Sequence, residues 1–126
     1  MNKLKLPLIT LVSVMVLFGL HLWGMNDNLY LKFWFYDIIQ HILGGVCIAL
    51  AIYTIASVFN LLYIRNNLFI IIILSFIAGL AWEIFEVLFD IAGHAIWTTE
   101  YNIDSTKDLF NDTLGAVIVY FLIKNK

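Results

Sequence analysis

Seven ionisable side chains lie within or at the edge of stretches that are apolar enough to span a membrane. They are Asp37, His41, Glu83, Glu86, Asp90, Asp108 and Asp112. An ionised carboxylate near the bilayer centre costs roughly 2.5 to 3.5 kcal/mol on insertion scales, so such residues persist where they face one another, water, protons or a metal ion. One imidazole with several carboxylates is a ligand set suited to Mg²⁺, Mn²⁺ or Zn²⁺. The pattern predicts a polar site enclosed by membrane helices.

These residues repeat at helical spacing. Asp37 and His41 are four positions apart, and the other acidic residues follow intervals of three and four, in the groups Glu83, Glu86, Asp90 and Asp104, Asp108, Asp112. Residues three, four and seven apart share one face of a helix, so each group can point into the same interior. One turn deeper on these faces lie Gly44, Gly79 and Gly115. Because small residues let membrane helices approach closely, the glycines predict tight packing beneath the polar layer.

Residue type and depth suggest a role for each group. We predict that four side chains hold a divalent metal ion: His41, Glu83, Glu86 and Asp108. Three of them, His41, Glu83 and Glu86, are also the candidate catalytic groups, with Asp37 orienting the imidazole. Supporting roles are predicted for five acidic residues: Asp37, Asp90, Asp104, Asp108 and Asp112. Structural roles are the alternative for the acids near helix ends, as N-caps at Asp37 and Asp108, a cap or lid residue at Asp104, and a solvated side chain at Asp90.

The elements that must position these groups are apolar helices. The 126 residues are 63% hydrophobic and 13% charged, with a mean hydropathy of +0.94, which excludes an ordinary soluble domain. Four stretches approach the length needed to cross a hydrocarbon core about 30 Å thick, at 6–24, 34–62, 68–91 and 106–123. We predict an all-α polytopic membrane protein with a single domain, 1–126. The segment 92–105 is long enough to act as a lid over the site.

The basic residues predict that both termini are cytoplasmic. The inner side would then carry five of the seven, namely Lys3, Lys5, Arg65, Lys124 and Lys126, leaving Lys32 and Lys107 outside, as the positive-inside rule expects. This orientation places the acidic groups in the outer half of the cell membrane. The scattered basic residues and net charge of −2 leave no basic patch for nucleic acid. The single cysteine, Cys47, lies in an apolar stretch and is predicted to be a packing residue.

Three motifs are similar to those of a known class of proteins. Asp37-x-x-x-His41-x-x-Gly44-Gly45, Trp82-Glu83-x-x-Glu86 and Asp104-Ser-Thr-Lys-Asp108 with Gly115-Ala116 resemble small bacterial membrane proteins of the VanZ-like and YjdF-like kind. The resemblance covers helices two to four. It implies four or five membrane helices and carries over six site residues: Asp37, His41, Glu83, Glu86, Asp104 and Asp108. VanZ-like members tend to have Gln and Asn at the positions of Glu86 and Asp112, so this chain is nearer the YjdF-like side.

Three functions are compatible with a polar site of this kind. The first is a metal-assisted hydrolase or transferase acting on a lipid-linked substrate at the outer leaflet. The second is a non-catalytic envelope or ligand-binding protein, for which the VanZ-like resemblance implies an association with glycopeptide resistance. The third is a cation or proton pathway built in a homo-oligomer. The inner halves of the helices, including 48–57 and 70–77, carry almost no polar residues that could line such a pathway.

Overall fold

A computed structural model describes residues 5–89 and 95–124, and these residues are almost entirely helical. The described parts of the chain form six helices: α1 (Lys5–Asn26), α2 (Leu29–Lys32), α3 (Trp34–Val58), α4 (Leu62–Arg65), α5 (Leu68–Leu88) and α6 (Thr99–Lys124). The all-α prediction is therefore confirmed. Asp90, which the sequence predicted to have a supporting role, lies outside the described residues.

Three of the helices, α1, α3 and α5, are long and apolar enough to cross a membrane. Helix α6 is 26 residues long, but acidic and basic residues occupy its first half, and it does not qualify by composition. The structure therefore supports three candidate spans. A fourth crossing by α6, and the side of the membrane on which the termini lie, stay predictions.

The second predicted helix, 34–62, ends earlier in the structure. Helix α3 ends at Val58 and is followed by Asn60 with a φ of 55°. The Leu61 N–H donates to the carbonyl of Ala56 at 2.7 Å, which is the 6→1 bond of a Schellman motif. An asparagine tolerates this left-handed conformation better than most residues do. The chain turns here and resumes as the short helix α4.

The fourth predicted helix, 106–123, begins earlier in the structure, at Thr99. Thr98 caps the new N-terminus, because its Oγ1 accepts a hydrogen bond from the Tyr101 N–H at 3.3 Å. The prediction that 92–105 forms a lid loop is therefore wrong for residues 99–105, which are the first turns of α6. Asp104 accordingly lies within a helix rather than before one.

Side-chain contacts define the relative directions of the helices. Tyr36, near the start of α3, donates to the carbonyl of Leu20 late in α1 at 2.6 Å, and Thr54 late in α3 hydrogen-bonds Thr10 early in α1 at 2.8 Å. These two helices therefore run in opposite directions. Helix α3 packs most extensively on α6. His41 in the first half of α3 lies near Asp108, and Tyr53 in its second half interacts with Tyr120, so α3 and α6 run in the same direction. Helix α5 packs on α6 in the opposite direction.

The apolar core lies at the end of the bundle away from the acidic residues. Its buried members come from α1, α3, α5 and α6: Leu6, Ala49, Leu50, Tyr53, Ile71, Ala116, Val119 and Tyr120. Most other large apolar side chains of α1 and α5 face outward, as expected where the surrounding solvent is lipid. The helix directions bring the start of α3, the end of α5 and the first half of α6 to the opposite end.

Candidate functional site

His41 lies at the centre of a group of buried acids. Its Nε2 atom is 3.7 Å from Asp37 Oδ1 and 3.7 Å from Asp108 Oδ1, while its Nδ1 atom is 3.4 Å from Asp112 Oδ1. Helix α3 provides Asp37 and His41 on one face, and α6 provides Asp108 and Asp112 on the face that it packs against α3. The two ring nitrogens therefore face different carboxylates.

The position of Asp112 depends on glycines from three helices. A Cβ added to Gly44 would lie 3.3 Å from Asp112 Oδ1, and one added to Gly79 would lie 2.6 Å from Asp112 Oδ2. At Gly45 a Cβ would overlap the backbone carbonyl of Asp112 itself, and at Gly115 it would overlap the carbonyl of Ile42. The absence of these side chains lets α3 and α6 come into backbone contact, which brings the acids of α6 to His41.

Three of these residues have the spacing of a metal site. The ligand atoms of Asp37, His41 and Asp108 all lie within 4.8 Å of one another. The 3.7 Å separations are too long for hydrogen bonds, but two atoms that bind one ion at about 2.1 Å lie up to about 4.2 Å apart. Metal-bound histidines usually direct their other ring nitrogen to a carboxylate or carbonyl. In the structure Asp112 faces the ring nitrogen Nδ1, whereas the spacing in the sequence predicted Asp37 as the orienting carboxylate.

Burial and charge both bear on what the group can hold. The side chains of His41, Asp108 and Asp112 are at most 7% exposed, while that of Asp37 is 35% exposed. Three carboxylates around one imidazole would repel one another in a low-dielectric interior unless protons or a cation balance them. The group is thus enclosed on the α6 side, open on the Asp37 side and chemically suited to a cation.

Two further polar side chains buried beside this group have atoms without hydrogen-bond partners. Glu83 is 4% exposed and its Oε1 atom has no partner, although the side chain is close enough to interact electrostatically with His41 and Asp112. Gln40 is 7% exposed, and neither its Oε1 nor its Nε2 atom has a partner. Buried polar groups are normally hydrogen-bonded, so each unsatisfied one calls for a ligand, an ion or water.

Gln40 was not among the residues predicted from the sequence. Two signals could have identified it, because a glutamine in an apolar helix is costly to bury and Gln40 lies three positions after Asp37 on a neighbouring part of the same face. Gly45 was likewise quoted only as part of a motif. Its close approach to Asp112 is a property of the helix pair and not of α3 alone.

The other predicted site residues that the structure describes lie outside the group around His41. Glu86 Oε1 accepts a hydrogen bond from Trp82 Nε1 at 2.8 Å, and among the described residues neither Glu83 nor Glu86 belongs to the set with metal-ligand spacing. Asp104 forms an ion pair with Lys107 at 2.9 Å. Asp90 cannot be placed, because it lies outside the described residues.

A cluster of rings joins α1 and α5 next to Glu86. His21 Nδ1 lies 2.7 Å from the Tyr30 hydroxyl, and the His21 ring meets Trp82 edge to face with the centroids 6.3 Å apart. Burial, with the nearby carboxylates of Asp37 and Glu86, raises the pKa of Tyr30 well above its usual range. The phenol is therefore neutral and serves as a hydrogen-bonding group. The His21 ring contacts both Tyr30 and Trp82.

Comparison with protein families finds one match over nearly the whole chain. Residues 1–125 match the family described as "Predicted membrane protein (DUF2238)", which is the YjdF-like family, so that part of the resemblance is confirmed. The comparisons give no support to the VanZ-like resemblance. No curated protein and no solved structure matches the chain significantly. The chain, with its apolar helices and buried Asp, His and Asp group, is a member of the YjdF-like family of membrane proteins.

Proposed function

We propose that the chain is a divalent-metal-dependent hydrolase or transferase that acts on a lipid-linked substrate at the outer face of the cell membrane. The observation that carries the proposal is that the two nitrogens of the His41 ring face different carboxylates. Nε2 faces Asp37 and Asp108, which have metal-ligand spacing, and Nδ1 faces Asp112. This is the arrangement of a metal-bound histidine held by a further carboxylate.

The ligand set favours a metal ion that binds both imidazole nitrogen and carboxylate oxygen. Imidazole suits Zn²⁺ and carboxylates suit Mg²⁺ and Mn²⁺, so a site of one histidine and two aspartates fits Zn²⁺ or Mn²⁺ best. Among the residues that the structure describes, three side chains have ligand spacing. Such a set leaves coordination positions for water or substrate, as catalytic sites require. A bound cation would polarise a substrate oxygen and activate a water molecule.

The chain's own groups would prepare this site. Asp112 would keep His41 in the tautomer that presents Nε2 to the metal, because Nδ1 would then carry the proton. Glu83, buried with an unpartnered carboxylate oxygen near His41, is suitably placed to accept a proton from an attacking water. The partly exposed Asp37 side would admit the polar part of a substrate.

The other two functions have weaker support. An ion pathway needs a polar route through the bundle, but the close contacts at Gly45 and Gly115 bring α3 and α6 together just below His41. A non-catalytic role would leave His41 as a protonated partner of its three acids. That interpretation explains the ion pairs but leaves the Oε1 atom of Glu83 and the side-chain amide of Gln40 buried without partners.

The proposal is tested by the metal content of the detergent-purified protein, measured beside two variants. Asp108→Asn removes a ligand of the group identified in the structure, and Glu86→Gln changes a carboxylate that lies outside it. We expect near-stoichiometric metal in the wild type and in Glu86→Gln, and loss of metal in Asp108→Asn. Wild-type protein that stays metal-free after incubation with Zn²⁺ and Mn²⁺ would refute the proposal.

Activity is measured on the same preparations. Metal-loaded protein is incubated with lipid phosphates and lipid pyrophosphates, and release of phosphate or transfer of the headgroup is followed with and without a chelator. Turnover that requires the metal and is lost in Glu83→Gln, while that variant keeps its metal, is the expected result. A metal-loaded protein without turnover of such substrates would favour the ligand-binding alternative.

A further inference from the structure

An apolar groove runs along the membrane-facing seam between α3 and α5. It encloses a cavity of about 380 Å³, within the range of about 300 to 1,000 Å³ found for small-molecule pockets. The α3 side is lined by Ile48, Ile52 and Ile55, and the α5 side by Leu74 and Ala78. The groove exists because α3 packs extensively on α6 and makes far less contact with α5.

The polar site lies beyond one end of the groove. On α3, the residues Gln40, Gly44, Ile48 and Ile52 are spaced by four and share one stripe. Gly44, one turn above Ile48, is the glycine whose added Cβ would lie 3.3 Å from Asp112. The apolar lining therefore begins one helical turn below the acids around His41.

The α5 side also changes from polar to apolar residues in the direction away from the acids. Glu86, Trp82, Ala78 and Leu74 are also spaced by four along one stripe. Trp82 is 41% exposed, and its indole N–H donates to Glu86, so polar groups lie one and two turns beyond Ala78 on this stripe. Both walls thus change from polar to apolar in the same direction.

Resting on the proposed function, we infer that the substrate is a lipid phosphate, one hydrocarbon chain of which lies in the α3–α5 groove. From Gln40 to Ile55 the stripe rises about 22 Å, roughly two-thirds of the hydrocarbon core, which is a suitable length for an acyl or isoprenyl chain. The buried amide of Gln40, which has no protein partner, is placed to hydrogen-bond the polar group that joins the chain to its phosphate. The phosphate complements a cation bound between Asp37 and Asp108.

The experiment uses phosphatidic acid with a photoreactive diazirine midway along one acyl chain, incorporated into phosphatidylcholine nanodiscs with the full-length protein. After illumination, labelled peptides are mapped by mass spectrometry and metal content is measured on the same sample. We expect label on α3 and α5 at the groove, displaced by unlabelled phosphatidic acid far better than by diacylglycerol of the same chains. Equal displacement by diacylglycerol would overturn the assignment of a phosphate headgroup.

Groove-filling variants distinguish this inference from the metal proposal. Ala78→Phe should reduce groove labelling several-fold while metal content is unchanged, and the matched control Val16→Phe, at an exposed position on α1, should change neither. Two outcomes would overturn the inference. One is label spread evenly over all lipid-facing helices. The other is metal-loaded protein without label in the groove, as would occur if a second copy of the chain occupied it. Metal-free protein with a labelled groove would instead refute the proposed function and leave the chain-binding groove standing.

Discussion

The proposed function predicts that replacing Asp112, whose carboxylate lies beside His41 Nδ1, weakens divalent-metal binding by about 10- to 100-fold. Asp112 Oδ1 lies 3.4 Å from His41 Nδ1, and both side chains are at least nine-tenths buried. Asp112→Asn keeps the shape of the side chain and removes its charge. Loss of such an outer partner typically costs 10- to 100-fold in metal affinity, or about 1.4 to 2.7 kcal/mol. Asp108→Asn, which removes a ligand, should cost more than this.

The corresponding stability effects follow from linkage. At a metal concentration of about 100 times the wild-type Kd, bound metal raises the free energy of unfolding by about 2.7 kcal/mol. A 10- to 100-fold weaker Kd reduces this gain to between about 1.4 and 0.4 kcal/mol under the same conditions. Asp112→Asn should fall within that range and Asp108→Asn below it. Glu86→Gln should match the wild type, since Glu86 lies outside the ligand group.

The assay is unfolding in mixed detergent micelles, with and without a chelator, alongside direct titration with Zn²⁺. Without metal, Asp108→Asn should be at least as stable as the wild type, because it removes one of three mutually repelling carboxylates. If His41 were instead a protonated partner in a purely structural network, breaking the buried pair would destabilise the metal-free protein by about 3 to 5 kcal/mol. A large loss in the metal-free variant would therefore refute the reasoning.

Three further predictions concern packing, capping and pH. Gly45→Ala places a Cβ against the Asp112 backbone and should lower the free energy of unfolding by about 1 to 3 kcal/mol. The control Gly19→Ala, with open space around it, should be neutral or stabilising. Equal effects of the two variants on unfolding in detergent would contradict the packing argument. Asn67→Ala removes a cap that accepts from two backbone N–H groups of α5 and should cost about 1 kcal/mol, and an unchanged unfolding midpoint would exclude this role. The affinity for Zn²⁺ should fall as the pH is lowered from about 8 to about 5, because protons compete with the metal for the imidazole of His41 and the carboxylates. Isothermal titration calorimetry measures this affinity, and binding that does not depend on pH would place the metal elsewhere.

Much of the site's arrangement within each helix could be anticipated from spacing. Asp37 and His41 share a face of α3 because they are one turn apart, and Asp108 and Asp112 share a face of α6 for the same reason. Periodicity carries no information about how closely two helices approach or which turn of one meets which turn of the other. Spacing along α3 therefore pairs His41 with Asp37, but it cannot show that Asp112 of α6 faces the other ring nitrogen of His41.

The helix ends were harder to predict because local hydrogen bonds decide them. Hydropathy continues past Val58, but the left-handed Asn60 and the Leu61 to Ala56 bond stop α3. At α6 the opposite occurs, since the cap at Thr98 starts a helix in a polar segment that hydropathy does not recognise. Length and apolar composition identify a membrane crossing, whereas its ends depend on individual turns and caps.

By itself, the sequence determined that the chain is a helical membrane protein with acids and a histidine on the inner faces of its helices, because lipid admits few other structures and few unpaired charges. Only the tertiary structure decided which acids meet His41. Gly45 and Gly115 allow the backbones of α3 and α6 to touch. Asp108 and Asp112 therefore flank the imidazole of His41. Glu86 instead hydrogen-bonds Trp82 on its own helix. Contact between residues far apart in the chain depends on how helices pack, and that is a property of all their surfaces together.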